Sequence, residues 1–371
     1  MEATGPLNGL RVLDLTSVVM GPLCTQMLGD LGADVVVVER FGGDTNRVMG
    51  AGPHPELSGI SLNLMRNKRS VSIDLGSPEG AAAIRELIPT CDALVTTMLP
   101  GSLRRLRLSY EDVVSLRPDI VYAQAQGFPM DTERADDPAY DDIVQSATGI
   151  ADALARVAGE PALVPSIFAD KVCGLVLSQA VLAALLHRQR TGQGQHVEVP
   201  MVDAMRSFIL VEHGAGAIPQ PPAGPVGYQR ILSPHRRPQR TADGWIGILP
   251  YAKRHYESLF KVDGDGTPPV DPSYYVDARS RIHFSDKLYQ AVRAIVVKRP
   301  TAYWLDFCSR EHIPCSRVVT LDELVDSLPV VEHPVVGPYR YIPPAARFSR
   351  TPQQLRRPAP LIGQDTAEVV S

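Results

Sequence analysis

An α/β protein built on an open, mostly parallel sheet is what this sequence predicts, and three observations carry that reading. The β-branched run VVVV at 35–38 has the character of a strand buried on both faces. With the two segments before it, that run closes a βαβ unit. The same alternation of short apolar strands and helical stretches then recurs as far as residue 211.

Taken in order, the unit opens with LRVLDL at 10–15, a partly alternating strand. Gly21-Pro22 is expected to break the chain before LCTQMLGDL at 23–31 takes up helical spacing, and Gly32 ends that helix. SVSIDL at 70–75 is the next strand. Ser77-Pro78-Glu79 opens a helix to about residue 88, with Ser77 as N-cap and proline at the first position, where its missing N–H is harmless. ALVT at 93–96 is a strand, Pro100-Gly101 a turn, 110–116 a helix and IVYAQA at 120–125 a strand. The strongest helix spans 171–190. It is apolar almost all round over 172–186, which suits a core position, and Thr191-Gly192-Gln193-Gly194 ends it. A strand at 195–199 and a helix at 201–211 complete the alternation.

At 371 residues the chain exceeds what one small core organises. IPQPPAGP at 218–225 reads as a linker, both Trp and most aromatic residues lie between about 226 and 325, and 329–344 is again punctuated by proline. The expected organisation is a large domain over 1–218, a smaller α+β domain over 219–325, and a return to the large domain over 326–371. Hydrophobic residues make up 44% and charged residues 21%, the balance of a soluble globular chain. The formal charge of −4 argues against a nucleic-acid partner recognised by bulk positive charge. Arg supplies 31 of the 37 basic residues, a side chain suited to bidentate phosphate recognition. No uncharged apolar run nears the length of a membrane span, and Met1 to Asn8 lacks the regions of a secretory signal, so no membrane partner is expected. Five widely spaced cysteines without CxxC argue against a metal cluster and suit a cytoplasmic location.

The first strand-to-helix turn, 17–22, lacks the three glycines of a dinucleotide fingerprint, and GxxxxGK[ST], HExxH and GxSxG are absent. Glu39 reads as an ordinary strand-end residue, His235-Arg236-Arg237 as a basic surface turn and Cys315 as a buried structural thiol. Arg66, Lys68 and Arg69, then Arg104, Arg105 and Arg107, flank predicted strand ends. They are either solvated faces or the makings of a site for an anionic nucleotide. Asp170, directly before the apolar helix, can be an N-cap and can be a nucleophile. The two are compatible, because a helix N-terminus favours an ionised carboxylate.

Several segments, in this order and spacing, resemble the class III coenzyme A transferases over nearly the whole chain. They are LNGLRVLDL at 7–15, Gly21-Pro22, LGDLGADV at 28–35, Asn67-Lys68-Arg69-Ser70, Asp74-Leu75, Pro100-Gly101, Tyr140-Asp141 with Gln145, Ala183-Ala184-Leu185 leading into TGQGQ at 191–195, Ile313-Pro314-Cys315 and PLIG at 360–363. The resemblance implies a Rossmann-like large domain made from both chain ends, a small domain from the middle, and an interlocked homodimer. It implies transfer of CoA from an acyl-CoA to a free carboxylic acid, with no tightly bound cofactor and the CoA thioester as co-substrate. Asp170 matches the family's nucleophile. The CoA site carries over onto Val19, Met20, Arg40, Ile73, Asp74, Leu75, Thr97, Met98, Leu99, Arg105, Tyr140 and Asp141, with Arg40 and Arg105 for the phosphates.

The sequence also departs from the family pattern. Thr96-Thr97-Met98-Leu99 stands where Glu-Asn-aromatic-Arg is usual, Gly76 where a Lys often follows, and Pro129 where a Gly is expected. The glycine-rich loop of some members is not evident. An α-methylacyl-CoA racemase shares this fold but has a His where Tyr140 stands, and tyrosine, near pKa 10 when unperturbed, is a poor base at neutral pH. A non-catalytic CoA-binding protein is the reading from another class.

Overall fold

The computed structural model describes residues 5–262 and 267–370; the first four residues of the segment read above for a signal lie outside them. Six strands form the main sheet: β1 (Arg11–Leu15), β2 (Asp34–Glu39), β3 (Lys68–Ser72), β4 (Ala93–Thr96), β5 (Val121–Gln126) and β6 (Gln195–Pro200), in the order β3-β2-β1-β4-β5-β6. Every pairing is parallel. Parallel neighbours need long crossovers, and helices supply them. These are α1 (Met20–Asp30), α2 (Gly59–Leu64), α3 (Pro78–Leu87), α4 (Pro100–Leu106), α5 (Tyr110–Leu116), α6 (Asp141–Ala147), α7 (Ile150–Ala158) and α8 (Phe168–Thr191), with α9 (Met201–His213) after β6. Strand order reverses between β1 and β4. Loops leaving the carboxyl ends of those two strands diverge there and leave a crevice, the usual ligand position in such sheets.

By internal contacts the chain divides into two compact units. The first is Met1–Ile150, Leu163–Phe208 and Leu328–Ser371; the second is Ala151–Ala162 and Ile209–Ser327. The division falls at 208/209, not 218/219. The proline-rich stretch is held by its own backbone bonds within the second unit, Ala223 and Gly224 N–H donating to the Gly216 carbonyl and Gly227 N–H to that of His213. Residues 151–162 join the same unit, Arg156 lying beside Gly227.

The second unit is α+β: β7 (Gln239–Arg240), β8 (Trp245–Ile248) and β9 (Cys315–Arg317) form an antiparallel sheet. Helices α10 (Lys253–Phe260), α11 (Ala278–His283), α12 (Ser285–Val296), α13 (Thr301–Arg310) and α14 (Leu321–Asp326) accompany it. Its core gathers Tyr256, Leu288, Val292 and a fully buried Trp304, whose Nε1 donates to the Val296 carbonyl at 2.8 Å. Cys315 is only partly buried; as the first residue of a three-residue strand it is less covered than the fully buried Cys308 of the core it packs against. In the first unit the hairpin β10 (Val330–His333) and β11 (Gly337–Arg340) brings Tyr339 and Tyr341 onto Leu57, Leu62 and Met65, and α15 (Thr366–Val369) ends the chain beside β3.

Four local expectations change for physical reasons. The first helix starts at Met20, so Gly21-Pro22 lies inside its first turn, where backbone N–H groups have no helical partner and proline is tolerated. Pro100 likewise begins α4 and makes no turn of its own. β3 runs from Lys68 to Ser72, not 70–75, because its partner β2 pairs Val35 with Lys68 and Glu39 with Ser72. α8 starts at Phe168, with Ile167 at its N-cap. By length and apolarity α8 could pass for a membrane span. Here Cys173, Leu177, Val181 and Leu185 are buried, and the helix packs on α1, β5 and β6.

The first basic cluster is structural. Lys68 and Asp14, both 0% exposed, pair at 3.0 Å; Arg66 pairs with Asp30 at 2.7 Å; Arg69 pairs with Asp34. These residues enter β3 at its amino end, away from the crevice, and a buried unpaired cation would be costly. Glu39 is equally committed. Burial works against its charge, but two bonds from Arg47, one from Ser70 and the Asp44 N–H hold its carboxyl below the usual range.

Candidate active site

Asp170 is the third residue of α8, not its N-cap, and is 8% exposed. Its own N–H donates to Asp141 Oδ1 at 3.0 Å. Asp141, at the start of α6, is steadied in turn by Gln145 Nε2 at 2.6 Å, and Gln145 Oε1 accepts the Val164 N–H at 2.9 Å. Thus Asp141 and Gln145 pin the backbone of the helix start that carries Asp170. Met20, the first residue of α1, lines the same cavity as Asp170, and its backbone N–H favours the Asp170 carboxylate. Close packing of α1 on α8 brings Met20 to Asp170, Gly174 allows that packing, and Gly21 lets the start of α1 lie against Thr16. A Cβ at Gly174 would lie 2.7 Å from the Met20 carbonyl oxygen, and one at Gly21 would lie 2.3 Å from Thr16 Cβ.

The helix terminus does not set the charge balance here. Burial first, and then the neighbouring Asp141 carboxylate, push the Asp170 carboxyl up to about 6, against the Met20 N–H. The group is still mostly ionised at pH 7, and it is more basic than an ordinary carboxylate.

Asp170 opens into a cavity of about 170 Å³ lined by Ser17, Val18, Met20, Thr97, Leu99 and Tyr140, with Gln126, Gly127, Pro138, Ala139 and Met201 among its other walls. A cavity of about 520 Å³ lies at the carboxyl ends of β2 and β3, lined by Arg40, Ile73, Asp74, Leu75, Met98 and Leu106. A third shares walls with both, taking Ser17, Val18 and Tyr140 on one side and Arg40, Leu75 and Met98 on the other. Ten of the thirteen residues singled out from sequence therefore line this connected set of walls: Met20, Arg40, Ile73, Asp74, Leu75, Thr97, Met98, Leu99, Tyr140 and Asp170. The other three do not line these cavities. Val19 is buried at the N-cap of α1, Asp141 is occupied with the Asp170 N–H, and Arg105 is exposed on α4, bonded to Ser102 Oγ at 2.8 Å. Arg40 is exposed, its Nε on the Gly43 carbonyl at 3.2 Å.

Sequence reasoning did not single out Ser17, Val18, Gln126 or the 138–139 segment as cavity walls. The carboxyl-end rule for parallel strands could have found the first three, since Ser17 and Val18 follow β1 and Gln126 ends β5. Nothing local marks Pro138 and Ala139, which reach the cavity because Gly127 has no Cβ: one there would lie 2.2 Å from Ala139 Cβ.

Compared with known proteins, the sequence matches CoA-transferase family III over residues 7–366. The chain belongs to this family. It is a CoA-transferase, whose co-substrates are CoA thioesters. It is 28% identical to a mouse succinyl-CoA:glutarate CoA-transferase, over 100% of this chain and 86% of that one. It is 32% identical to a succinyl-CoA:mesaconate CoA-transferase of Haloarcula hispanica, over 78% and 74%. A solved structure of a Mycobacterium tuberculosis protein at 27% identity superposes with a TM-score of 0.83, covering 98% of this chain and 99% of that one. In this CoA-transferase the smaller cavity, beside Asp170, lies at the carboxyl ends of β1 and β4, where strand order reverses.

Proposed function

We propose that this CoA-transferase moves CoA from an acyl-CoA to a free carboxylic acid through covalent intermediates on Asp170. The observation that carries the reading is a buried carboxylate of raised basicity, open to a cavity that the first residue of α1 also lines. The Asp170 carboxylate attacks the thioester carbonyl, forming an aspartyl–acyl mixed anhydride and releasing CoA thiolate. The thiolate attacks the aspartyl carbonyl, giving an aspartyl-CoA thioester and the free donor acid. The acceptor carboxylate then attacks that thioester, and returning thiolate takes the acceptor acyl group and frees Asp170. Every intermediate stays activated, so no ATP is needed. The Met20 N–H stabilises oxyanions forming at the aspartyl carbonyl.

The small cavity suits the reacting carbonyls and the larger one the nucleotide end of CoA, with Arg40 on a phosphate. Arg105 is assigned to the same end, because its neighbour Leu106 lines that cavity. Two such chains form the working enzyme in this reading. The relatives' printed acids include glutarate and mesaconate, so a panel of mono- and dicarboxylic acids is the place to begin.

The test is to incubate the protein with a panel of acyl-CoAs, quench with hydroxylamine, and map the product by peptide mass spectrometry. A hydroxamate at Asp170 that appears only with particular acyl-CoAs, and is lost together with transfer in Asp170→Ala, is the expected result. A protein that binds CoA yet is never modified overturns the covalent route.

A further inference from the structure

Three consecutive N–H groups after β1 are each held by a side chain from a different strand end. Thr16 N–H donates to Asp14 Oδ1 at 3.0 Å, Ser17 N–H to Thr97 Oγ1 at 3.1 Å, and Val18 N–H to Asp44 at 3.1 and 3.3 Å. The last of these is the unusual one. Val18 has φ +67°, the left-handed region, where a β-branched residue is a real outlier. Such a conformation persists only when its surroundings impose it. Asp44 does so from a fixed base: its own N–H donates to Glu39 Oε2 at 2.9 Å, its Oδ1 also accepts the Asn46 N–H at 2.9 Å, and buried Arg47 grips Glu39. Two residues further on, α1 begins at Met20, which with Val18 and Asp170 lines one cavity.

We propose that Asp44 is a positioning residue: its carboxylate clamps Val18 in the left-handed conformation and so aims the Met20 N–H at Asp170. A valine left without the clamp relaxes to negative φ and re-aims the two residues that follow. A bond to an ionised acceptor is strong enough to oppose that relaxation, and an ordinary neutral one is weaker. The inference rests on the reading of Asp170 as nucleophile, but its geometry can be tested apart from the chemistry.

The cost of Asp44→Ala is measured in two backgrounds, with Val18 and with Val18→Gly, since glycine takes positive φ without strain. With Val18 in place, Asp44→Ala slows Asp170 hydroxamate formation at saturating acyl-CoA by about 10- to 100-fold, the scale of a misaligned reacting group. In the Val18→Gly background the same change costs less than about threefold, whatever Val18→Gly costs alone. Equal costs in both backgrounds, or a loss confined to KM, overturn the clamp. Asp44→Asn, which keeps an acceptor oxygen, loses less than Asp44→Ala and replaces it in the cycle if the alanine variant does not fold. A crystal structure of the Asp44 variant reads the geometry without chemistry. Val18 at negative φ with Met20 moved away from Asp170 supports the clamp, and Val18 still at positive φ with Met20 unmoved overturns it. A wild type that forms no hydroxamate refutes only the Asp170 reading, and the crystal structure still decides the clamp.

Discussion

Asp170 carries two opposed demands in one side chain. Ionised, it is the nucleophile of the proposed route; ionised and buried beside Asp141, it is an unfavourable charge. Its carboxyl sits near 6 in the folded chain, against about 3.9 for an unperturbed aspartate. Between those values the native state holds a proton that the unfolded state has lost, so stability falls as pH rises from about 4 through about 6. Asp170→Asn is therefore expected to stabilise the protein at pH 7, on the order of 1–3 kcal/mol, while abolishing transfer. The gain should shrink toward pH 4. Denaturant unfolding of both proteins at pH 4.5 and 7.5 checks this, and an asparagine variant less stable than wild type at pH 7.5 counts against it. Activity runs the other way: the acylation rate should drop below about pH 6 as Asp170 takes up its proton, which a pH profile of hydroxamate formation reads.

Among the elements, the site depends on how closely two helix starts approach. Gly174 on α8 faces the Met20 carbonyl on α1. Glycine to alanine within a helix normally gains about 1 kcal/mol from propensity. Here the new Cβ would stand 2.7 Å from a backbone oxygen, and overpacking of that kind costs about 1–3 kcal/mol because backbone cannot swing aside. The steric term wins. Gly174→Ala is expected to lower stability in urea melts and to cut the acylation rate at least tenfold by moving the Met20 N–H off Asp170. An alanine variant as stable and as fast as wild type would show that the two helices have slack.

Across the molecule, apolar surface is left uncovered in places a lone chain rarely tolerates. Leu175 and Leu186 on α8 are 52% and 46% exposed, and Phe208, Leu210 and Val211 on α9 are 50%, 42% and 84% exposed. Singly these residues need no explanation; in the proposed paired-chain enzyme each of these helix faces is one a partner would cover. A homodimer is expected by sedimentation equilibrium at micromolar concentration, and a monomer there would refute the paired-chain reading.

What depends on local chemistry was legible along the chain. Val35–Val38 reads as a doubly buried strand, Ser77-Pro78 as a helix start, and 172–186 as a core helix, because period, capping and branching act over a few residues. The order of short family segments likewise carried the class of reaction. Which polar groups are free for chemistry was settled by folding alone. Arg66, Lys68 and Arg69 read from sequence as either a solvated face or an anion site, and the fold pairs them with Asp30, Asp14 and Asp34, partners 35 to 54 residues away. Asp141, read as a CoA contact, faces the Asp170 N–H instead. The basicity of Asp170 and the left-handed Val18 were invisible for the same reason. Burial, like-charge proximity and an imposed backbone angle all come from residues that are neighbours in space and strangers in sequence.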